Sequence, residues 1–168
     1  MTGAPRVILG IDPGISITGF GVVRIDAGRR ASYVTSGCIR TRPEQSMSSR
    51  LLAIYADCLE LIRRYEPQEA AVEKLFVRAN LQNALTVGQV RGVIMLALAQ
   101  SAIPVGEYTS MEVRGSVLGY GKADKGQVQH MVARLLALAT VPRPDDAADA
   151  LAVALCHGLR PETSRLRP

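Results

Sequence analysis

The sequence predicts one α/β domain built on a mixed sheet, and three observations predict it. The chain has 168 residues, the size of one ordinary domain. Its first forty residues hold three strand-like segments joined by short turns. Beyond them, short apolar runs alternate with segments of helical period.

The elements follow in order. Val7-Ile-Leu-Gly-Ile11 is a continuous apolar run that stops at Asp12-Pro-Gly14, so it reads as a buried strand running into a turn. Residues 18–25 form a second strand, Asp26-Ala-Gly-Arg-Arg30 the connecting turn, and residues 31–40 a third strand. Links this short make an antiparallel meander. The period then changes. Met47, Leu51, Tyr55, Cys58, Ile62 and Tyr65 recur at three- and four-residue steps, which is an amphipathic helix. Ser46 or Ser48 caps its start, and Pro67 limits its end. Residues 69–73 are a short apolar stretch, a buried fourth strand, and 75–80 a loop. A helix over 81–101, a fifth strand over 103–108 and helices over 110–118, 125–138 and 145–157 complete the series. Gly119-Tyr-Gly121 and Val141-Pro-Arg-Pro144 are the breaks between the last three. Residues 1–158 are expected to form a single domain and the polar segment 159–168 a disordered tail.

Composition narrows the function. Apolar residues make up 48% and charged residues 21% of the chain, which is ordinary globular usage and excludes disorder throughout. The longest apolar run, residues 93–99, is far short of the roughly 20 residues a bilayer requires. No apolar stretch precedes the first strand, so no signal peptide is expected. Cys38, Cys58 and Cys156 are odd in number and widely spaced, which points to reduced thiols rather than a disulfide framework or zinc site. The formal charge is +5, carried by 17 Arg and 3 Lys. Arginine suits bidentate phosphate contact, and a basic surface suits a polyanion. Only seven Tyr and Phe residues are present, too few for a broad base-stacking platform.

The acids carry the chemistry. Asp12 ends the first strand, and the turn that follows exposes it. Glu73 ends the fourth strand, at the corresponding end if the two strands are parallel neighbours. Asp145-Asp-Ala-Ala-Asp149 opens the last helix. Asp146 and Asp149 share a face, and so do Asp145 and Asp149; spacing does not choose between the pairs. Asp145 also suits a helix start, facing the dipole. Asp149 lies in an otherwise apolar helix, where an acid requires a partner. Carboxylates pointing at one spot repel one another, and a divalent cation relieves that conflict. Oxygen ligands without His or Cys favour Mg²⁺ or Mn²⁺. Two such ions about 3.5–4 Å apart are the usual apparatus of phosphodiester cleavage.

Other residues extend the pattern. Lys122 and Lys125 flank a helix start and suit a clamp on a phosphate. Gly88 and Gly92 permit close helix approach, within the fold or across a dimer. His130, in an apolar helix segment, reads as a structural histidine, and His157 as a complement to the helix dipole.

Taken together, Ile8-Leu-Gly-Ile-Asp-Pro-Gly14, Thr18-Gly-Phe-Gly-Val22, Ser36-Gly-Cys-Ile-Arg40, Val72-Glu-Lys-Leu-Phe76, Gly88-Gln-Val-Arg-Gly92, Lys125-Gly-Gln-Val-Gln-His-Met131 and Asp146-Ala-Ala-Asp-Ala-Leu-Ala152 resemble the bacterial RuvC Holliday junction resolvases. The likeness runs from about residue 6 to about residue 157, in the family's order and spacing. It implies a ribonuclease H-like fold with a five-stranded mixed sheet flanked by helices. It implies a homodimer that nicks four-way DNA junctions in recombination and repair, using Mg²⁺ or Mn²⁺, two ions to a site. Symmetric paired cuts leave 5′-phosphate and 3′-hydroxyl ends. By motif match the metal-binding and catalytic acids are Asp12, Glu73, Asp146 and Asp149, with Asp146 rather than Asp145 at the ligand position. Phe76 resembles the family's junction-stacking aromatic, and Arg78 and Asn80 share its loop as DNA contacts. Lys125 matches a basic position near the active site. Arg114 matches one that is typically Lys and is given an electrostatic role only. The resemblance also implies a bacterial cytoplasmic enzyme, at the nucleoid during repair, working with a junction-binding and branch-migration motor complex and with no membrane.

Overall fold

In the computed structural model, the structure describes residues 4–74, 81–119 and 124–161. Five strands and five helices follow in the order β1 (Arg6–Asp12), β2 (Ile17–Ile25), β3 (Ala31–Arg40), α1 (Met47–Tyr65), β4 (Glu69–Glu73), α2 (Leu81–Gln100), β5 (Val105–Tyr108), α3 (Ser110–Leu118), α4 (Lys125–Leu135) and α5 (Asp145–Gly158). The sheet order is β3-β2-β1-β4-β5. β1, β2 and β3 form the antiparallel meander, whereas β4 runs parallel to β1 and β5 parallel to β4. Asp12 and Glu73, which close two parallel neighbours, therefore emerge at the same end of the sheet.

Strand alternation divides the core into two layers. Ile8, Val23 and Ile25 pack against α3, α4 and α5. Leu9, Ile11, Val22 and Val72 point the other way, against α1 and α2. α1 starts at Ser46, whose hydroxyl accepts from the Ser49 amide, and stops at Glu66 in the left-handed region, one residue before Pro67. α4 is shorter than the sequence suggests, ending at Leu135 rather than 138. Ala137 turns left-handed (φ 52°), and its amide and that of Leu138 reach back to the carbonyls of Arg134 and Ala133. This is the Schellman closure, here without the glycine that marks it in a sequence.

α5 is the central helix. Every residue from Ala147 to Gly158 is buried except Asp149. It lies directly on β1 and β2 because two glycines leave room. A Cβ at Gly10 would stand 2.2 Å from the Ala150 carbonyl oxygen, and one at Gly19 2.0 Å from that of Asp146. The far end of α5 is pinned by His157, which is fully buried rather than a solvated helix-end charge. Its Nε2 lies 2.7 Å from Glu69 Oε2 and its Nδ1 2.7 Å from the Tyr108 hydroxyl. A carboxylate only accepts, so Nε2 carries the proton and, in the neutral ring, Nδ1 accepts from Tyr108. Burial holds the imidazole below its usual range, against the pull of Glu69. Arg6 completes the chain with a 2.5 Å bond to Glu69. His130 is exposed and bonded to the Gly126 carbonyl, not set into the core. Leu159 and Arg160, expected in the tail, belong to the fold: Leu159 packs on the core, and Arg160 lies 4.6 Å over the Tyr108 ring. Among the described residues no helix is long and apolar enough to cross a membrane.

Candidate active site

Three elements deliver the acids. β1 carries Asp12 at its end, β4 carries Glu73, and the first turns of α5 carry Asp146 and Asp149 over the sheet. Gly19 decides how near α5 comes, because the Asp146 backbone rests on it. The carboxyls of Asp12 and Glu73 are close enough to act on one another. Burial, then the charge and closeness of the Glu73 carboxyl, then Asp149 and Asp146, push the Asp12 carboxyl up to about 8. Glu73, Asp146 and Asp149 thus all act electrostatically on Asp12.

Asp149 has the partner its setting demands. Lys125 Nζ, at the start of α4, donates to Asp149 Oδ2 at 2.8 Å and stands 3.9 Å from Asp145. Burial raises the Asp149 carboxyl, and the Lys125 bond partly offsets that rise. The same bond pushes the ammonium up. Asp145 is turned outward to Arg143 and Lys125, in keeping with a helix-start acid. A cleft of about 200 Å³ opens among Glu73, Ser110, Arg114, Lys125, Val128 and Asp149. Arg114 and Lys125, two of the basic residues singled out in the sequence, therefore line it. Phe76, Arg78, Asn80 and Lys122 lie outside the described residues.

Ser110 was not singled out, although its hydroxyl donates to Glu73 Oε1. Topology held the clue: Tyr108 is the β5 register partner of Glu73, so the helix that follows β5 begins beside Glu73. Cys38 also approaches the site. Burial and the charge of Asp146 raise its thiol, while Arg40 and the Ala147 amide oppose the rise.

The donor set suits a hard divalent cation, being oxygen only and in excess of its counter-charge. Asp12, Glu73, Asp146 and Asp149 are the residues able to hold it. Among the described residues no three acids are yet gathered tightly enough to ligate one ion. Lys125 neutralises Asp149.

An acid cluster over the ends of β1 and β4, on a meander extended by parallel strands, defines a nuclease of the ribonuclease H-like class. The comparisons make the assignment specific. The family model for "Crossover junction endodeoxyribonuclease RuvC" matches residues 8–157, and the chain belongs to that family of DNA-cleaving enzymes. The crossover junction endodeoxyribonuclease RuvC of Pelotomaculum thermopropionicum is 53% identical over 151 residues, covering 90% of this chain and 92% of the relative. The solved structure of Thermus thermophilus RuvC superposes with a TM-score of 0.88 at 34% identity, over 96% of this chain and 99% of that one. T. thermophilus RuvC in complex with a Holliday junction substrate gives 0.87 at 36% identity, over 92% and 93%.

Proposed function

We propose that this chain is a structure-selective endonuclease that resolves four-way DNA junctions in recombination and repair, by paired, metal-dependent nicks. The observation that carries the reading is Asp12. Its carboxyl, held near 8 by burial and three neighbouring acids, feels Glu73 and Asp149, which line a cleft together with Arg114 and Lys125, in a chain similar to a RuvC solved with a Holliday junction.

Asp12, Glu73, Asp146 and Asp149 would hold the metal. Bound Mg²⁺ or Mn²⁺ supplies acidified water and charge stabilisation at the leaving oxygen. The chain's own residues do the rest. Glu73 is kept in place by Ser110. Lys125 and Arg114 draw the scissile phosphate into the cleft as cations. Hydrolysis breaks the bond from phosphorus to the 3′ oxygen, leaving a 5′-phosphate and a 3′-hydroxyl. On the sequence resemblance, Phe76 stacks at the open junction, and Arg78, Asn80 and Lys122 contact the DNA.

A homodimer fits the two-fold junction. α2 supports it: Leu81, Leu85, Gly88, Gly92 and Leu96 are exposed at steps of three and four along one face. A Cβ at Gly88 or Gly92 would meet nothing within 4 Å, so within the described chain no helix uses the close approach these glycines permit. A second copy covers the stripe in this reading. The domain, which includes Leu159 and Arg160, forms the working unit, in the bacterial cytoplasm beside the branch-migration motor.

The test is cleavage of an end-labelled mobile four-way junction with Mg²⁺, Mn²⁺ or EDTA, beside a linear duplex of the same sequence. Paired nicks in the junction alone, dependent on metal, are expected. Tight junction binding without cutting under either metal would refute the nuclease reading.

A further inference from the structure

The turn after Asp12 is held by an arginine that the acid cluster does not use. Arg50, in α1, is only 9% exposed. Its Nε donates to Thr41 Oγ1 at 2.8 Å and its Nη2 to Ser16 Oγ at 2.9 Å. Thr41 in turn donates to the Ile15 carbonyl and, through its amide, to that of Ser16. The guanidinium is thus fixed in orientation by neutral hydroxyls. Among the described residues it forms no ion pair, and its Nη1 has no hydrogen-bond partner yet is not sealed from solvent.

That combination has a cost. A guanidinium does not shed its proton, and a buried charge without a counter-charge is unfavourable. Pinning a turn requires only a neutral donor, so pinning does not explain the charge. Position does. Ile17 pairs with Arg40 and Asp12 with Gly19, so Ser16 and Thr41 lie at the sheet end where Asp12 and Glu73 emerge. Ser16 is exposed, and Arg40 and Arg42, exposed on either side of Thr41, add positive charge.

We infer that Arg50, oriented by Ser16 and Thr41, forms a seat for a DNA backbone phosphate beside the scissile site. The free Nη1 edge and the Ser16 hydroxyl are its donors. The seat rests on the DNA-cleaving reading above and carries no sequence information, since it touches only the backbone.

The experiment measures binding to a four-way junction and to a linear duplex across a salt series, without divalent metal, in an Asp12→Asn background. Arg50→Gln is expected to weaken binding to both roughly 10- to 30-fold, as for a lost charge-assisted contact. It should also flatten the plot of log affinity against log salt by about 0.9 for each phosphate released. Ser16→Asp, at an exposed position, keeps the fold and sets a carboxylate against the guanidinium; the same flattening is expected, with an unchanged or higher melting temperature. If Arg50→Gln fails to fold, Ser16→Asp decides alone. An unchanged affinity and salt slope in the folded variants would overturn the seat. Failure of the unsubstituted protein to prefer the junction over the duplex would overturn the junction reading instead, and leaves the slope test standing.

Discussion

At one end of α5, Asp146 and Asp149 join Asp12 and Glu73 in a crowd of acids, with Lys125 paired to Asp149. At the other end, His157 is bonded on both ring nitrogens, Glu69 is bonded to Arg6 and His157, and nothing in that chain lacks a complement. The two ends are built on the same helix and the same strands. They differ in whether charge is balanced within the protein. The far end is balanced and therefore structural: its polar groups fix how α5 meets β4 and β5. Among the described residues, the ion pair at the acid end is that of Lys125 with the α5 acids Asp145 and Asp149, and this end retains a demand for positive charge. A buried polar network that satisfies itself needs no ligand, whereas one that does not points to what it binds.

The comparison can be broken most forcefully at Asp12. Asp12→Asn is expected to lower junction cleavage at least about 1000-fold. It should also stabilise the metal-free protein at high pH. The Asp12 carboxyl is raised from 3.8 to about 8, so its contribution to stability is full below the lower value and is lost as pH rises through the upper one. At pH near 9 the variant should melt on the order of 5 °C above the unsubstituted protein, and near pH 4 the two should converge. Melting curves at both pH values check this.

His157→Ala should have the next largest effect, about 3 kcal/mol of stability, because it removes the buried ring that bridges Glu69 and the Tyr108 hydroxyl. Denaturant unfolding measures it, and the protein that remains folded should cut at a near-normal rate. The sign of its pH dependence is opposite to that of Asp12. A histidine held below its usual range contributes stability above about 6.5, and that contribution is lost as pH falls through the depressed value.

Lys125→Met sharpens the account of the acid end. It removes the counter-charge of Asp149 and should slow cleavage roughly tenfold or more, while the Asp149 carboxyl climbs further, visible by NMR titration of the metal-free protein. The smallest effect is expected from Tyr108→Phe, which removes one hydrogen bond to His157 and should cost about 1 kcal/mol in unfolding without changing cleavage.

Much of this was legible in the sequence because it depends on local signals. Alternation and period gave the strands and most helix bounds, and Asp12 and Glu73 could be placed at strand ends by the runs preceding them. What escaped depends on distant partners. Nothing near Asp149 in the chain announces Lys125, 24 positions away, and His157 reads as a helix-end cation until Glu69, 88 positions away, is seen beside it. The early end of α4 escaped because Ala137 adopts a conformation that usually calls for glycine. Ser110 and Arg50 escaped because a hydroxyl and an arginine at helix starts are common, and only the packing of β5 beside β4, and of α1 beneath the β1–β2 turn, gives them partners.

The central claim is that the acid end is short of positive charge and that a divalent cation supplies it. Thermal unfolding with and without Mn²⁺ at pH 7.5, for the unsubstituted protein and Asp12→Asn side by side, tests this most directly. A clear rise in melting temperature with Mn²⁺ that is lost in Asp12→Asn is the predicted result. An equal rise in both proteins, or none in either, would contradict it.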